Sequence, residues 1–221
     1  MDILQQVREW AAQRHAEANC TYGVHDFTYH LNAVENVLLR FGHDSVYLRT
    51  VAHLHDVVED TSTALDEIGQ RFGMLVMAGV DALTDVTHDM QGDKLPNRRA
   101  RQQATYAKLR GYCTRNGSWT DLAFQDLRQV INVKLADRIA NVEASMAGIN
   151  SRHYDMYVVE HPFFCREVGQ VGGDEAMWTH LDKLVTKNPL LAPARRLKQA
   201  YTDGKFDDIP NRLADFFKVV P

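Results

Sequence analysis

Four His-Asp dipeptides occur in this 221-residue chain, and one of them has the surroundings of a metal site. His55-Asp56 lies in the run HLHDVVEDT. His30 precedes it in FTYHLNAVENVLLRF, and Asp137 follows in NVKLADRIANVEAS. Two imidazoles and two carboxylates make a mixed nitrogen and oxygen donor set suited to a divalent cation such as Mn²⁺, Fe²⁺ or Zn²⁺. Glu59 and Asp60, one turn beyond, add groups that can move protons beside such a cation, which hydrolysis requires. The other pairs lack this company. His25-Asp26 falls in a loop, His43-Asp44 straddles a helix break, and His88-Asp89 precedes a glycine-containing loop.

The elements that must position these residues read as helices. The spacing predicts one helix from Val46 to about Asp60, with Val51, Leu54 and Val58 on the core face. On its flank His55 stacks over Glu59, and further round Asp56 stacks over Asp60, each at i,i+4. His53 points away and is expected at the solvated surface. The stretch Leu127–Met146 is apolar nearly all round, so it belongs at the centre of the fold. Lys134, Asp137 and Asn141 fall within about 60° of one another on one edge of it. A carboxylate buried there needs a positive partner. That partner is either a metal ion or an ion pair with Lys134 or Arg138, and both readings stand open.

An opening helix follows Asp2, marked by Ile3, Val7, Trp10 and Ala11. A second runs from about Thr28 to Phe41 and ends at Gly42, with Asp44 or Ser45 as cap of the next. Short helices are expected over Ala64–Phe72 and Met74–Leu83, and longer ones over Asn97–Tyr112, His153–Val168 and Glu175–Lys187. THDMQGDKLPN and RNGSWTD read as loops. No strand-like alternation of useful length occurs. The expected architecture is an all-α, multi-helix bundle over residues 1–187, with a helical tail over 188–221 packed on it.

Composition narrows the function classes. Hydrophobic residues make up 45% and charged residues 24%, ordinary for a globular chain able to bury a sizeable core. The formal net charge is −4, so the basic bias of a nucleic-acid binder is missing. Three cysteines without a CxxC spacing suit a reducing compartment rather than a disulfide framework. The charged N-terminus lacks a signal-peptide core, and no run approaches the roughly 20 apolar residues of a membrane span. A cytoplasmic protein acting on a small molecule, with no membrane or nucleic-acid partner, is the expectation.

Taken together, His30, His55-Asp56 and Asp137 reproduce the H…HD…D signature of the HD-domain phosphohydrolases. HLHDVVEDTSTALDEIGQRFG followed by VKLADRIANV is similar to the hydrolase domain of the RelA/SpoT group and its small stand-alone relatives, over roughly residues 10–165. The HDVVEDT and KLADRIAN blocks are specific to that group. The resemblance implies removal of the 3′-pyrophosphate from ppGpp, with Mn²⁺ as the usual ion and Fe²⁺, Zn²⁺ or Mg²⁺ as alternatives. It makes His30, His55, Asp56 and Asp137 the ligands, and Glu59 and Asp60 the pair that orients or activates the attacking water. It makes Asn141 and Lys134 substrate contacts.

The run KLPNRRAR, with Lys94, Arg98, Arg99 and Arg101, falls where relatives contact phosphates; it reads equally as a solvated basic helix start. Arg152 and Tyr157 fall where relatives place late substrate contacts, and Tyr157 reads equally as a core residue. The stretch TYGVHDFTYHL departs from the family. It has no Arg-Lys pair before the first His, Asp26 and Phe27 stand for the usual Pro-Tyr, and Leu31 stands for the Pro that often follows. The Arg-Lys pair belongs to the purine and ribose end of the pocket. Its absence keeps two other readings alive: an HD hydrolase of a deoxynucleotide or dinucleotide cofactor, and a non-catalytic regulator that binds a nucleotide or a partner protein.

Overall fold

The centre of the molecule is one long helix whose apolar side chains cannot all face one neighbour. In the computed structural model, which describes residues 2–114, 121–149 and 153–186, this helix is α8 (Asp121–Met146). Val130, Val133, Leu135, Ala136, Ile139 and Val142 are fully buried on it, on several faces. A ring of helices covers them: α2 (Thr28–Arg40), α3 (Val46–Leu54), α6 (Met74–Leu83), α7 (Arg98–Thr114), α9 (Tyr154–Val168) and α10 (Glu175–Thr186). Burying each of the valine, leucine and isoleucine side chains contributes about 1.5–3 kcal/mol. The outer layer adds α1 (Ile3–Glu17), which packs on α2 and α3, and α5 (Leu65–Phe72), which pairs with α6. The fold is all-α, as the apolar period predicts. Arg152 and the tail over 188–221 lie outside the described residues.

Helix ends follow local chemistry. Gly42 takes a φ of 82° after α2, and the His43 amide reaches back to the Leu38 carbonyl at 2.9 Å. That left-handed residue suits glycine and stops the helix. Ser45 then caps α3, its side chain accepting from the Leu48 amide at 3.2 Å. α8 already includes Asp121, ahead of the Leu127 start that the apolar period indicates.

Three local expectations need correction. The single helix over Val46–Asp60 is broken at His55-Asp56, leaving α3 and the short α4 (Val57–Asp60). His55 Nδ1 donates to the Ala52 carbonyl at 2.7 Å, and that carbonyl is the one an unbroken helix pairs with the Asp56 amide. The break shifts the register, so Val57 is fully buried and Val58 only half-buried. His53 is not at the surface. It is 2% exposed, because Nε2 lies 2.9 Å from the buried Glu35 carboxylate, which Arg8 and Arg49 also grip at 2.5 and 2.7 Å. Finally, a minimal antiparallel hairpin exists. Its strands are β1 (Thr21–Tyr22) and β2 (His25–Asp26), turned at Gly23, whose φ of 64° a two-residue turn demands. Each strand has two residues, too short to show as alternation.

Candidate active site

α2, the α3–α4 junction and α8 bring one cluster of donor atoms together. His30 Nε2 comes from α2, His55 Nε2 and Asp56 Oδ2 from the helix break, and Asp137 Oδ1 from α8. The two imidazole nitrogens are 3.4 Å apart. Asp56 Oδ2 lies 3.3 Å from His30 and 3.1 Å from His55. Asp137 Oδ1 lies 3.5 and 3.9 Å from the same two nitrogens. His30, His55 and Asp56 offer ligand atoms within 4.8 Å of one another, and Asp137 approaches the two imidazoles from α8.

The cluster fits a divalent cation. Ligands held at about 2.0–2.2 Å from a shared ion lie about 3–3.5 Å from each other. A carbonyl only accepts, so the His55 Nδ1 bond to Ala52 fixes the proton there and turns Nε2 into the cluster. Burial works against an imidazolium at His55, yet Asp56 and Asp137 outweigh it and hold the pKa up at about 9. The carboxylates therefore draw positive charge to this point.

Asp137 is placed for either open reading. Its Oδ1 faces the imidazoles, while its Oδ2 lies 3.6 Å from Lys134 Nζ. Arg138 goes elsewhere: it bonds Glu160 at 3.1 Å and lies over the Tyr157 and Phe164 rings at 4.9 and 4.8 Å. Asn141 Nδ2 donates to Asp137 Oδ1 at 2.5 Å, and Asn141 Oδ1 accepts from the Tyr22 hydroxyl at 2.8 Å. Tyr22 also stacks on His30, with centroids 4.9 Å apart and 17° between planes. The hairpin thus supports two members of the cluster. Sequence reasoning passed over Tyr22, because no period or motif marks a two-residue strand.

Glu59 and Asp60 sit beside the cluster on α4. Glu59 is exposed, yet local desolvation by the neighbours packed around its carboxylate, then the nearby Asp85 carboxylate, pushes its pKa up to about 7. Local desolvation and the Asp56 carboxylate raise that of Asp60, also exposed, to about 6. Both values suit groups that exchange protons near neutral pH. Glu59 Oε1 accepts from the Asp85 amide at 2.7 Å, which fixes its position. Asp85 has no sequence signal; only the fold brings it here.

Next to Asp137 and Asn141 opens a cleft of about 170 Å³. Arg98, Arg101, Lys134 and Arg138 line it with positive charge, joined by Tyr157, Tyr106, Gln102 and Asp85. Glu160 underpins the wall. It is 3% exposed and binds Arg98 at 2.5 Å as well as Arg138. Burial alone raises its pKa, but these two guanidiniums pull it below the usual range. Of the expected substrate contacts, Arg98, Lys134, Asn141 and Tyr157 line this cleft. Lys94 is exposed, bridges to His88 in the backbone, and is not among the lining residues. Arg99 lies over the Phe163 ring at 3.1 Å.

Known proteins are similar to this chain. The Probable GTP pyrophosphokinase of Mycobacterium leprae (strain TN) is 30% identical over 142 residues, which cover 64% of this chain and 16% of that protein. The guanosine-3′,5′-bis(diphosphate) 3′-pyrophosphohydrolase of Aquifex aeolicus (strain VF5) is 30% identical over 141 residues, 63% of this chain and 17% of that protein. The chain thus spans under a fifth of the length of these curated relatives. A solved metazoan ortholog of SpoT, reported to hydrolyze ppGpp and to play a role in starvation responses, shares the fold. Its TM-score is 0.61 at 19% identity, over 85% of this chain and 96% of that one. A family model described as HD domain matches residues 8–154, the segment that holds His30, His55, Asp56 and Asp137, and on that match the chain belongs to the HD-domain family.

Proposed function

We propose that the chain is a metal-dependent phosphohydrolase acting on guanosine-3′,5′-bis(diphosphate), releasing pyrophosphate from the 3′ position and leaving GDP. One observation carries the reading: the His/Asp cluster and the cationic cleft share a wall at Asp137 and Asn141, so a phosphate bound in the cleft lies beside the metal ligands. The similarity to the Aquifex relative, named for this reaction, supports the substrate.

His30, His55, Asp56 and Asp137 would hold the ion, for which Mn²⁺ suits the nitrogen and oxygen donors. When bound, such an ion polarises phosphoryl oxygens and makes water a stronger nucleophile near neutral pH. Glu59 and Asp60 orient the attacking water and take its proton. Lys134, Arg98 and Arg138 neutralise the diphosphate as it leaves. Tyr157, already over the Arg138 guanidinium, forms the apolar side of the substrate site.

A second reading has its own observation. The stretch without the Arg-Lys pair is the hairpin, and its Tyr22 is spent on His30 and Asn141 rather than on a substrate. A site that reads its base differently fits another nucleotide, such as a deoxynucleotide. The deciding experiment incubates Mn²⁺-loaded protein with ppGpp, deoxynucleoside triphosphates and dinucleotide cofactors, and separates products by ion exchange. GDP plus pyrophosphate supports the alarmone substrate. Cleavage of a different nucleotide with ppGpp untouched rejects it but keeps the phosphohydrolase. No cleavage with any divalent ion leaves a nucleotide-binding regulator.

A further inference from the structure

α9 and α10 meet at a second cluster of donor atoms, which the proposed hydrolysis does not use. His161 and Cys165 lie one turn apart on α9, so they share a face. Asp182 reaches them from α10. Its Oδ1 is 2.6 Å from His161 Nε2, and Cys165 Sγ is 3.3 Å from the same nitrogen. The three ligand atoms lie within 4.8 Å of one another.

The sulfur lies nearer to the nitrogen that Asp182 already holds than to the one a proton relay would leave for it. A histidine that links a thiol to a carboxylate uses one ring nitrogen for each partner. Here both partners approach Nε2, and the sulfur is farther, at 3.7 Å, from Nδ1. One imidazole nitrogen carries either a proton or a lone pair, so it satisfies one of these neighbours at a time. A cation satisfies all three. Bonds of about 2.3 Å to sulfur and about 2.0 Å to nitrogen place tetrahedral ligands about 3.5 Å apart, near the 3.3 Å found between Sγ and Nε2. The 2.6 Å between Asp182 Oδ1 and Nε2 is a direct hydrogen bond. The exposed Asp182 side chain must therefore draw back by about 0.7 Å to admit the ion. The setting is also suitable. His161 is mostly buried and fixed, while the Asp182 side chain is 59% exposed, which leaves the remaining coordination position open to water.

We propose that His161, Cys165 and Asp182 form a second metal site, selective for a zinc-class cation, that clamps α10 onto α9. Its sulfur donor favours Zn²⁺ or Co²⁺ over Mn²⁺ or Mg²⁺, whereas the cluster around His55 offers nitrogen and oxygen only. The two sites would therefore sort different ions. Binding forms one metal–sulfur bond and releases the Cys165 proton to solvent; nothing is oxidised.

Cobalt titration of the full chain tests this, because a thiolate ligand gives Co²⁺ a near-ultraviolet charge-transfer band that nitrogen and oxygen ligands do not. The band is expected in the wild type, to be removed by added Zn²⁺, and to persist in Asp56→Asn. Cys165→Ser should abolish it. Cys20 is the control, since its Sγ lies 3.4 Å from the Asp60 carbonyl beside the first cluster; Cys20→Ser should keep the band. Asp182→Asn, at a solvent-facing position that does not threaten the fold, should weaken Co²⁺ binding at least about 10-fold. A wild type without the band, a band that survives Cys165→Ser, or one lost in Cys20→Ser overturns the proposal. If Cys165→Ser does not fold, unchanged Co²⁺ affinity in Asp182→Asn overturns it instead.

Discussion

The Tyr22 hydroxyl donates to Asn141 Oδ1 at 2.8 Å, and through that bond a two-residue strand reaches a carboxylate on the central helix. Asn141 has one acceptor oxygen and one amide nitrogen to offer, and both are engaged, with Tyr22 and with Asp137. The resemblance makes this asparagine a nucleotide contact, and it does line the cleft; in the structure its amide also holds Asp137, one of the proposed ligands. Tyr22→Phe keeps the ring stacked on His30 and removes only the hydroxyl. We expect metal affinity to fall about 10-fold, the range seen when a group supporting a ligand is lost. Isothermal titration with Mn²⁺ reads this directly, and wild-type affinity in Tyr22→Phe would remove the hydroxyl from the support of the site.

The ligands and the acid/base pair should separate cleanly. Asp137→Ala or His55→Ala is expected to lose the ion, because each takes away a donor from the cluster. Elemental analysis showing full occupancy in both would reject the site. Glu59→Gln with Asp60→Asn should retain the ion and lose turnover by about 10²–10⁴-fold. Comparing kcat with metal content in the same preparation distinguishes the two kinds of residue.

Asp85 is expected to tune Glu59. Local desolvation and the Asp85 charge raise the Glu59 pKa to about 7, so Asp85→Asn should lower it while the desolvation keeps part of the shift. If Glu59 accepts a proton during turnover, it must be ionised first, and the rising limb of the pH–rate profile follows its pKa. The limb should therefore move to lower pH in Asp85→Asn. A limb that stays in place detaches it from Glu59.

Glu35 should matter for stability in acid. Burial opposes its charge, but bonds from Arg8, His53 and Arg49 prevail and bring its pKa to about 2, against 4.5 unperturbed. A depressed carboxyl pKa stabilises the fold above the unfolded value and loses that contribution as pH falls through the folded one. Glu35→Gln should cost about 1–2 kcal/mol at neutral pH, because it removes the charge that Arg8 and Arg49 share but leaves those two guanidiniums partly open to water. The gap from wild type should shrink between pH 4.5 and about 2. Urea unfolding across that range checks the sign, and a gap that widens in acid contradicts it.

What the sequence disclosed follows from range. The central position of α8 was legible because Val130, Leu135, Ile139 and their neighbours carry the apolar period on several faces. Lys134, Asp137 and Asn141 fell on one edge by helical geometry alone, and they do meet there. The contribution of His53 was not legible. Its burial depends on Glu35, Arg8 and Arg49 from two other helices and another turn of its own, and no local pattern announces such a set. The break at His55-Asp56 was hidden for a different reason: a side chain takes a backbone carbonyl, and residue type alone does not say when it will. Asp85 and Glu160 likewise acquire their roles only from partners distant in the chain.

The four donors around His55 lie on segments far apart in sequence, from position 30 to position 137. An ion shared by them would act as a cross-link that closes long loops, and loop closure removes most of its entropy from the unfolded chain. Its effect would then reach beyond the site. α2, the α3–α4 junction and α8 could no longer separate one at a time, so the loaded domain should open as a unit, with amide exchange slowed across all three helices together.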